Sequence, residues 1–301
     1  MVGQTTSGVF AGFAEALPLS GFSGADVMLL RHWDGHLFVR KAAATPAAND
    51  RLRRQARRQH WLEGAVGDTA VVAPVEGEGE TDGLYWYDMG FMRGRDAVSH
   101  LSDASFAEVE GFASAVSRLL ERLAAASAET PLHDVGLRGM LLDKLADIDT
   151  RTQNRHASIL GPLVMAAVHI RTSIATTAAH GDLTFENIIV DANHGLCLID
   201  PIESPIEHYW MDLAKLFQDC EGRWHQYRRR ALPSSISWAL RQRFMGIATA
   251  MDARYPAFHY LLLGLTFARI LPYAKDDRDR AFIAHRVETF GGLATRALET
   301  A

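Results

Sequence analysis

The chain has 301 residues, 48% of them hydrophobic and 22% charged, which suits a globular protein with a sizeable core. A formal net charge of −5 argues against a general attraction to nucleic acid or to an anionic membrane. Two cysteines, Cys197 and Cys220, make neither a disulfide framework nor a repeated metal-ligand spacing, and are expected as reduced, packed thiols. Residues 1–21 lack the basic head and apolar stretch of a signal peptide, and the longest apolar run, around 260–268, is short for a bilayer, so a cytoplasmic location is expected.

In chain order, residues 18–24 form a turn-rich opening, followed by two apolar-rich strands at 26–31 and 36–41. Asp34-Gly35 between them is a hairpin signal. Asn49 and Asp50 offer N-caps to a helix reaching about Leu62, which carries Arg51, Arg53, Arg54, Arg57 and Arg58 on a face expected to be solvated. Further strands are predicted at 71–74 and 84–89, flanking a loop by composition at 76–80 (Glu-Gly-Glu-Gly-Glu). Beyond Gly94 the character changes. Helical spacing appears at 105–126, 137–154 and 159–178, short strands at 188–190 and 196–199, and mostly helix from Tyr209 onward. The expected architecture is α+β and two-lobed: a small antiparallel-sheet lobe over 1–89, a hinge at 90–94, and a larger, mostly helical lobe over 95–301.

The segment that carries chemistry is His180-Gly181-Asp182-Leu183-Thr184-Phe185-Glu186-Asn187, followed after two short strands by Ile199-Asp200-Pro201. A hairpin of that length brings its ends side by side, so Asn187 and Asp200 can face one point. An amide oxygen and a carboxylate converging there suit a hard cation such as Mg²⁺, which also takes phosphate oxygens. Asp182 can then accept or orient the proton of an attacking hydroxyl. Singly, each of these residues reads as a loop cap or turn residue; the order and spacing of all three carry the signal. The 13 histidines show no zinc-helix spacing.

These motifs resemble the aminoglycoside phosphotransferase and choline kinase superfamily, a branch of the protein-kinase-like fold. His180-Gly181-Asp182-Leu183 with Asn187 is similar to its catalytic loop, and Ile199-Asp200-Pro201 to the metal-binding turn that protein kinases write Asp-Phe-Gly. The resemblance implies that Asp182 is the catalytic base, that Asn187 and Asp200 hold Mg²⁺, and that Asp212 braces the loop of His180 through backbone amides. Val39-Arg40-Lys41 resembles the strand lysine that pairs with the α- and β-phosphates. Gly21, Ser23 and Gly24 would lie over those phosphates, where glycine lets backbone N–H groups approach anionic oxygens. Backbone groups of Gly90 and Met92 would meet the purine of ATP or GTP.

Gln55 stands where kinases place a glutamate partner for the strand lysine; it accepts a hydrogen bond but brings no counter-charge. Glu203 follows the Asp200 turn closely and is a candidate substrate residue. Arg269 ends a very apolar helix and needs a partner, either a carboxylate of the fold or an anionic substrate group. The run Arg269-Ile270-Leu271-Pro272-Tyr273 and the Asp212-Leu213-Ala214-Lys215 stretch look like kinases encoded with surface-polysaccharide genes. No dense acidic run occurs in the last hundred residues, which argues against a polycationic antibiotic as acceptor.

The expected function is transfer of the γ-phosphate of ATP to a hydroxyl of a sugar, polyol, hydroxy acid or amino alcohol. The small-molecule acceptor is the one partner implied; no nucleic acid, membrane or obligate protein partner is evident. The alternative is a nucleotide-binding regulatory or scaffold pseudokinase, which Gln55 favours. A protein serine/threonine kinase is disfavoured by Gly181 in place of the usual arginine and by the short stretch between Asp200 and Asp212.

Overall fold

A computed structural model of the protein describes residues 8–19, 24–126, 135–191, 195–204 and 206–299. Gly21 and Ser23, expected over the nucleotide phosphates, lie outside the described residues. The elements in chain order are β1 (Glu15–Pro18), β2 (Ala25–Arg31), β3 (Leu37–Ala43), α1 (Asn49–Val66), β4 (Val71–Val72), β5 (Val75–Thr81), β6 (Leu84–Gly90) and β7 (Arg95–Asp96). They continue with α2 (Ala97–Leu101), α3 (Phe106–Ala125), β8 (Val135–Gly136), α4 (Leu137–Arg151), α5 (Ala157–Val168), β9 (Ser173–Ile174), β10 (Ile188–Asp191) and β11 (Gly195–Leu198). The chain ends with α6 (Tyr209–Cys220), α7 (Trp224–Tyr227), α8 (Ser234–Met251), α9 (Tyr255–Ala268) and α10 (Asp277–Glu299). It divides into two compact units: residues 1–94 with 189–203, and residues 95–188 with 204–301.

The first unit is built on an antiparallel sheet of order β1-β2-β3-β6-β5. The expected β2–β3 hairpin forms, with the His36 N–H donating to the Asp34 carboxylate (2.9 Å) across the Asp-Gly turn. Because side chains alternate along a strand, β3 serves two cores at once. Phe38 and Ala42 join Val9, Phe10 and Leu30 on one face. Val39 and Ala43 join Leu52 and Ala56 of α1, with Tyr85, Tyr87 and Met89, on the other. The alternation puts Lys41 on the α1 side and Arg40 opposite, where its guanidinium meets Asp88 at 2.7 and 2.8 Å and lies 3.8 Å from the Trp86 ring.

Two expectations are corrected. Residues 76–80 are not a loop: they form the body of β5, an edge strand paired with β6. The sequence Glu-Gly-Glu-Gly-Glu defeats a composition-based reading, but its period of two puts partners within reach of its acids. Glu78 accepts from the Tyr85 hydroxyl at 2.5 Å and Glu80 pairs with Arg53 at 2.7 Å, while the charges blunt the open edge. Glycine at position 79 is required by close approach, since a Cβ there would sit 2.6 Å from the Trp86 ring. The helix expected over 159–178 stops at Val168, and the chain beyond runs extended. Thr177 is used as a tether: its N–H donates to the Glu207 carbonyl (3.0 Å) and its hydroxyl accepts from the Tyr209 N–H (2.9 Å).

Within the first unit, β11 runs parallel to β4, with Leu198 opposite Val72, and Ile199 packs against the α1-side core. The second unit is helical around α6, whose 12 residues are all buried, with the more apolar α9 beside it. Ser105 and Glu108 close a reciprocal capping box at the start of α3, as the sequence signature requires. Among the described residues no helix is long and apolar enough to cross a membrane.

Gly79→Ala drives a methyl into the Trp86 ring, and overpacking of this kind costs about 1–3 kcal/mol. Urea unfolding should therefore show a lower midpoint with an unchanged slope.

Candidate active site

In the second unit, His180 to Thr184 form an irregular loop that runs into a 3-10 turn at Phe185–Asn187, and the shape of the whole is set by α6. An irregular, buried segment has backbone N–H groups that helix or sheet would otherwise satisfy. Three of them are taken by carboxylates of α6. His180 N–H donates to Asp212 Oδ2 at 2.6 Å and Gly181 N–H to Asp212 Oδ1 at 2.8 Å, while Phe185 N–H donates to Asp219 Oδ2 at 2.8 Å. Gly181 adopts φ +85°, the left-handed region in which glycine carries no steric penalty.

Asp182 follows with its side chain 32% exposed. Lys215 Nζ sits 2.9 Å from its Oδ1, and Asn187 Nδ2 donates to its Oδ2 (3.1 Å) and to its backbone carbonyl (2.8 Å). Burial pushes the Asp182 carboxyl up, but the Lys215 ammonium, with Arg269 and His180 behind it, more than offsets this and holds it below the ordinary carboxylate range. Asp182 is thus an ionised hydrogen-bond acceptor at neutral pH. The structure brings Asp182, Asn187, His180 and Asp212 together around this loop.

Sequence reasoning missed Lys215 and Asp219. With Asp212 they lie at i, i+3 and i+7, so one stripe of a buried helix addresses the loop from His180 to Phe185. The signal was available: three ionisable side chains at one-face spacing in an otherwise apolar helix. Glu186 was also missed; Arg230 joins it (3.5 Å) to Asp96 (2.7 Å), holding the end of the loop.

In the first unit the ammonium of Lys41, only 2% exposed, is ion-paired to the Asp200 carboxylate. Asp200 itself adopts φ +61°, a left-handed conformation that aspartate tolerates and that clusters at functional turns. Gln55 is buried on α1, but the carboxylate that meets Lys41 comes from Asp200. Glu203 lies 3.7 Å from Arg54, so part of the arginine-rich face of α1 has an acidic partner. Gly24 immediately precedes β2. The Gly90 N–H is committed to the Pro74 carbonyl (3.0 Å), which leaves Met92 as the position whose backbone lies outside the strand ladder.

For Mg²⁺ the donor chemistry fits. The Nδ2 hydrogens of Asn187 are used within the loop, so its oxygen is the atom left for a cation, and Asp200, 29% exposed, has an oxygen beyond the one that meets Lys41. Among the described residues no group of three or more His, Cys, Asp or Glu could hold a metal by itself.

The model of the phosphotransferase enzyme family (APH) matches residues 15–241, spanning the sheet, the loop of Asp182 and the stripe on α6. The chain belongs to this family. The phosphotransferase fold is also that of solved structures of low identity. An APH(2″) enzyme in its GDP and kanamycin complex is 16% identical with a TM-score of 0.65, the alignment covering 93% of this chain and 92% of that one. A candidate fructosamine-3-kinase from Thermobifida fusca is 17% identical with a TM-score of 0.61, covering 96% and 94%. An APH(2″)-IIa ternary complex with streptomycin and ATP is 13% identical with a TM-score of 0.63, covering 95% of each chain. A search of curated proteins gave no match.

Burial raises the carboxyl of Asp219 to about 7, against the opposing pull of the Phe185 N–H. Between its ordinary value of 3.8 and about 7, the folded phosphotransferase holds a proton that the unfolded chain releases, so this group makes stability fall as pH rises. The stability of Asp219→Asn relative to the parent should therefore increase through that window and level off above it, as melting temperatures across the pH series would register. A difference independent of pH would remove the protonation argument.

Proposed function

We propose that this phosphotransferase moves the γ-phosphate of ATP to the hydroxyl of a small molecule, with Asp182 as the base and with Asn187 and Asp200 as Mg²⁺ ligands. The observation that carries the reading is the Asp182 carboxylate, ionised and aimed by Lys215 and Asn187 on a loop whose amides are pinned by α6. Solved relatives in fold carry GDP or ATP, which supports a nucleotide as the donor.

The chemistry follows from these positions. The acceptor hydroxyl donates its hydrogen bond to an Asp182 oxygen; its own oxygen forms the new bond to the γ-phosphorus as the bond to the β-phosphate oxygen breaks. The hydroxyl proton passes to Asp182 and ADP leaves. In a loose transition state the attacking oxygen gains little positive charge until late, so a carboxylate of depressed pKa suffices: it orients the nucleophile early and takes the proton late. Lys41 neutralises charge on the α- and β-phosphates, with Asp200 holding its ammonium in place, and backbone groups of Met92 receive the purine. Mg²⁺, when bound, neutralises the phosphate oxygens and fixes their geometry. Glu203 and Arg269 are the proposed acceptor contacts.

Asp182→Asn keeps the shape of the loop and removes the proton acceptor. kcat should drop by about 10²–10⁴-fold while ATP affinity by calorimetry is preserved. Undiminished turnover in that variant would rule Asp182 out as the base. Lys215→Met removes the main charge that lowers the Asp182 pKa. The acid limb of kcat against pH should then move to higher pH; an unmoved limb would show that Lys215 does not tune the base.

A further inference from the structure

Arg269, named above as an acceptor contact, also bears on the charge of that acceptor. It caps the C-terminal end of α9, a helix whose last eight residues, Leu261–Ala268, are all buried, and is itself half-buried. Its Nη1 is buried and has no hydrogen-bond partner among the described residues. A buried guanidinium nitrogen without an acceptor carries its desolvation cost uncompensated, which natural structures rarely retain without a use. Burial accordingly lowers the Arg269 pKa, and the carboxylates whose fields act back on it are Asp182 and Asp212. Both are engaged elsewhere, Asp182 by Lys215 and Asn187, Asp212 by the amides of His180 and Gly181. Arg269 is therefore a cation whose charge is felt at the proposed base and whose Nη1 has no hydrogen-bond partner among the described residues. Lys215, 7% exposed and in contact with Asp182 itself, adds a second positive charge at the same place.

We infer that the acceptor of this enzyme is an anion: a small hydroxylated molecule whose carboxylate or phosphate is bound by Arg269 while its hydroxyl meets Asp182. The inference rests on the proposed phosphotransfer at Asp182 and narrows its acceptor class. A guanidinium offers two parallel N–H donors to a carboxylate or phosphate, and a substrate group that reaches into the site would satisfy the buried Nη1 that the fold leaves without a partner. A polycation such as an aminoglycoside would instead bring like charge against Arg269 and Lys215.

The test compares matched acceptors with the parent, Arg269→Met and Arg269→Lys, each first checked for an unaltered melting temperature. The carboxylate arm sets D-glycerate and gluconate against glycerol and sorbitol. The phosphate arm sets glycerol 3-phosphate and glucose 6-phosphate against glycerol and glucose. Kanamycin and choline represent cations. At least one anion should be favoured over its neutral counterpart in kcat/KM by about 10- to 100-fold, the range expected of a charge-assisted pair. The preference should collapse toward unity in Arg269→Met and be partly kept in Arg269→Lys, mainly through KM. A preference for neutral or cationic acceptors, or an anion preference that survives Arg269→Met, overturns the inference while leaving phosphotransfer intact. Thermal shifts with the same anions give a readout independent of turnover. If ATP is not consumed with any acceptor, the proposed function fails. Arg269-dependent anion stabilisation would then still uphold the anion site, and its absence would dismiss it.

Discussion

Helix α6 does something costly: it carries Asp212, Lys215 and Asp219 through an interior in which every one of its residues is buried. Each charge removed from water is penalised unless it finds a partner. Here the partners belong to one irregular loop, whose own amides would be just as costly if left unpaired. Loop and helix solve each other's problem: Asp212 takes two N–H groups, Asp219 a third, and Lys215 takes the carboxylate of Asp182. The position and ionisation of Asp182 follow from this exchange, and so does the rigidity that its proposed role as base calls for.

The first unit solves a similar problem with a strand. Lys41 is almost wholly buried because period-two alternation on β3 directs it into the α1-side core, and it is tolerable there because Asp200 supplies a counter-charge. Asp200 is delivered by a segment distant in sequence, held by the packing of Ile199 into that core and by the parallel pairing of β11 with β4. The pair also bears on Gln55. With a carboxylate already at the lysine, the neutral side chain on α1 does not leave the ammonium uncompensated.

Membership in the phosphotransferase family says what kind of reaction the chain carries out, and the proposed anionic acceptor would narrow it. Lys215, paired to Asp182, and Arg269, with a buried nitrogen that has no hydrogen-bond partner, place two cations beside the proposed base. The relatives in fold include enzymes solved with kanamycin or streptomycin. Fold likeness at such low identity is compatible with a different acceptor charge, because the backbone that positions the base is separable from the side chains that choose its substrate.

The amino-acid order alone was enough for the identity of the loop, the lysine strand, the Asp-Gly hairpin and the helical second half. Those features are local: they rest on spacing, period and turn chemistry within a few residues. The same locality explains the failures. Residues 76–80 look like a loop until the ladder with β6 is present, and 169–178 continue a helical pattern until tethers to the carbonyl of Glu207 and the amide of Tyr209 pull the chain out straight. The reach of Lys215 to Asp182, of Asp219 to Phe185 and of Asp200 to Lys41 depended on tertiary packing. Each joins residues 33 to 159 positions apart, and only folding decides which buried polar groups find one another.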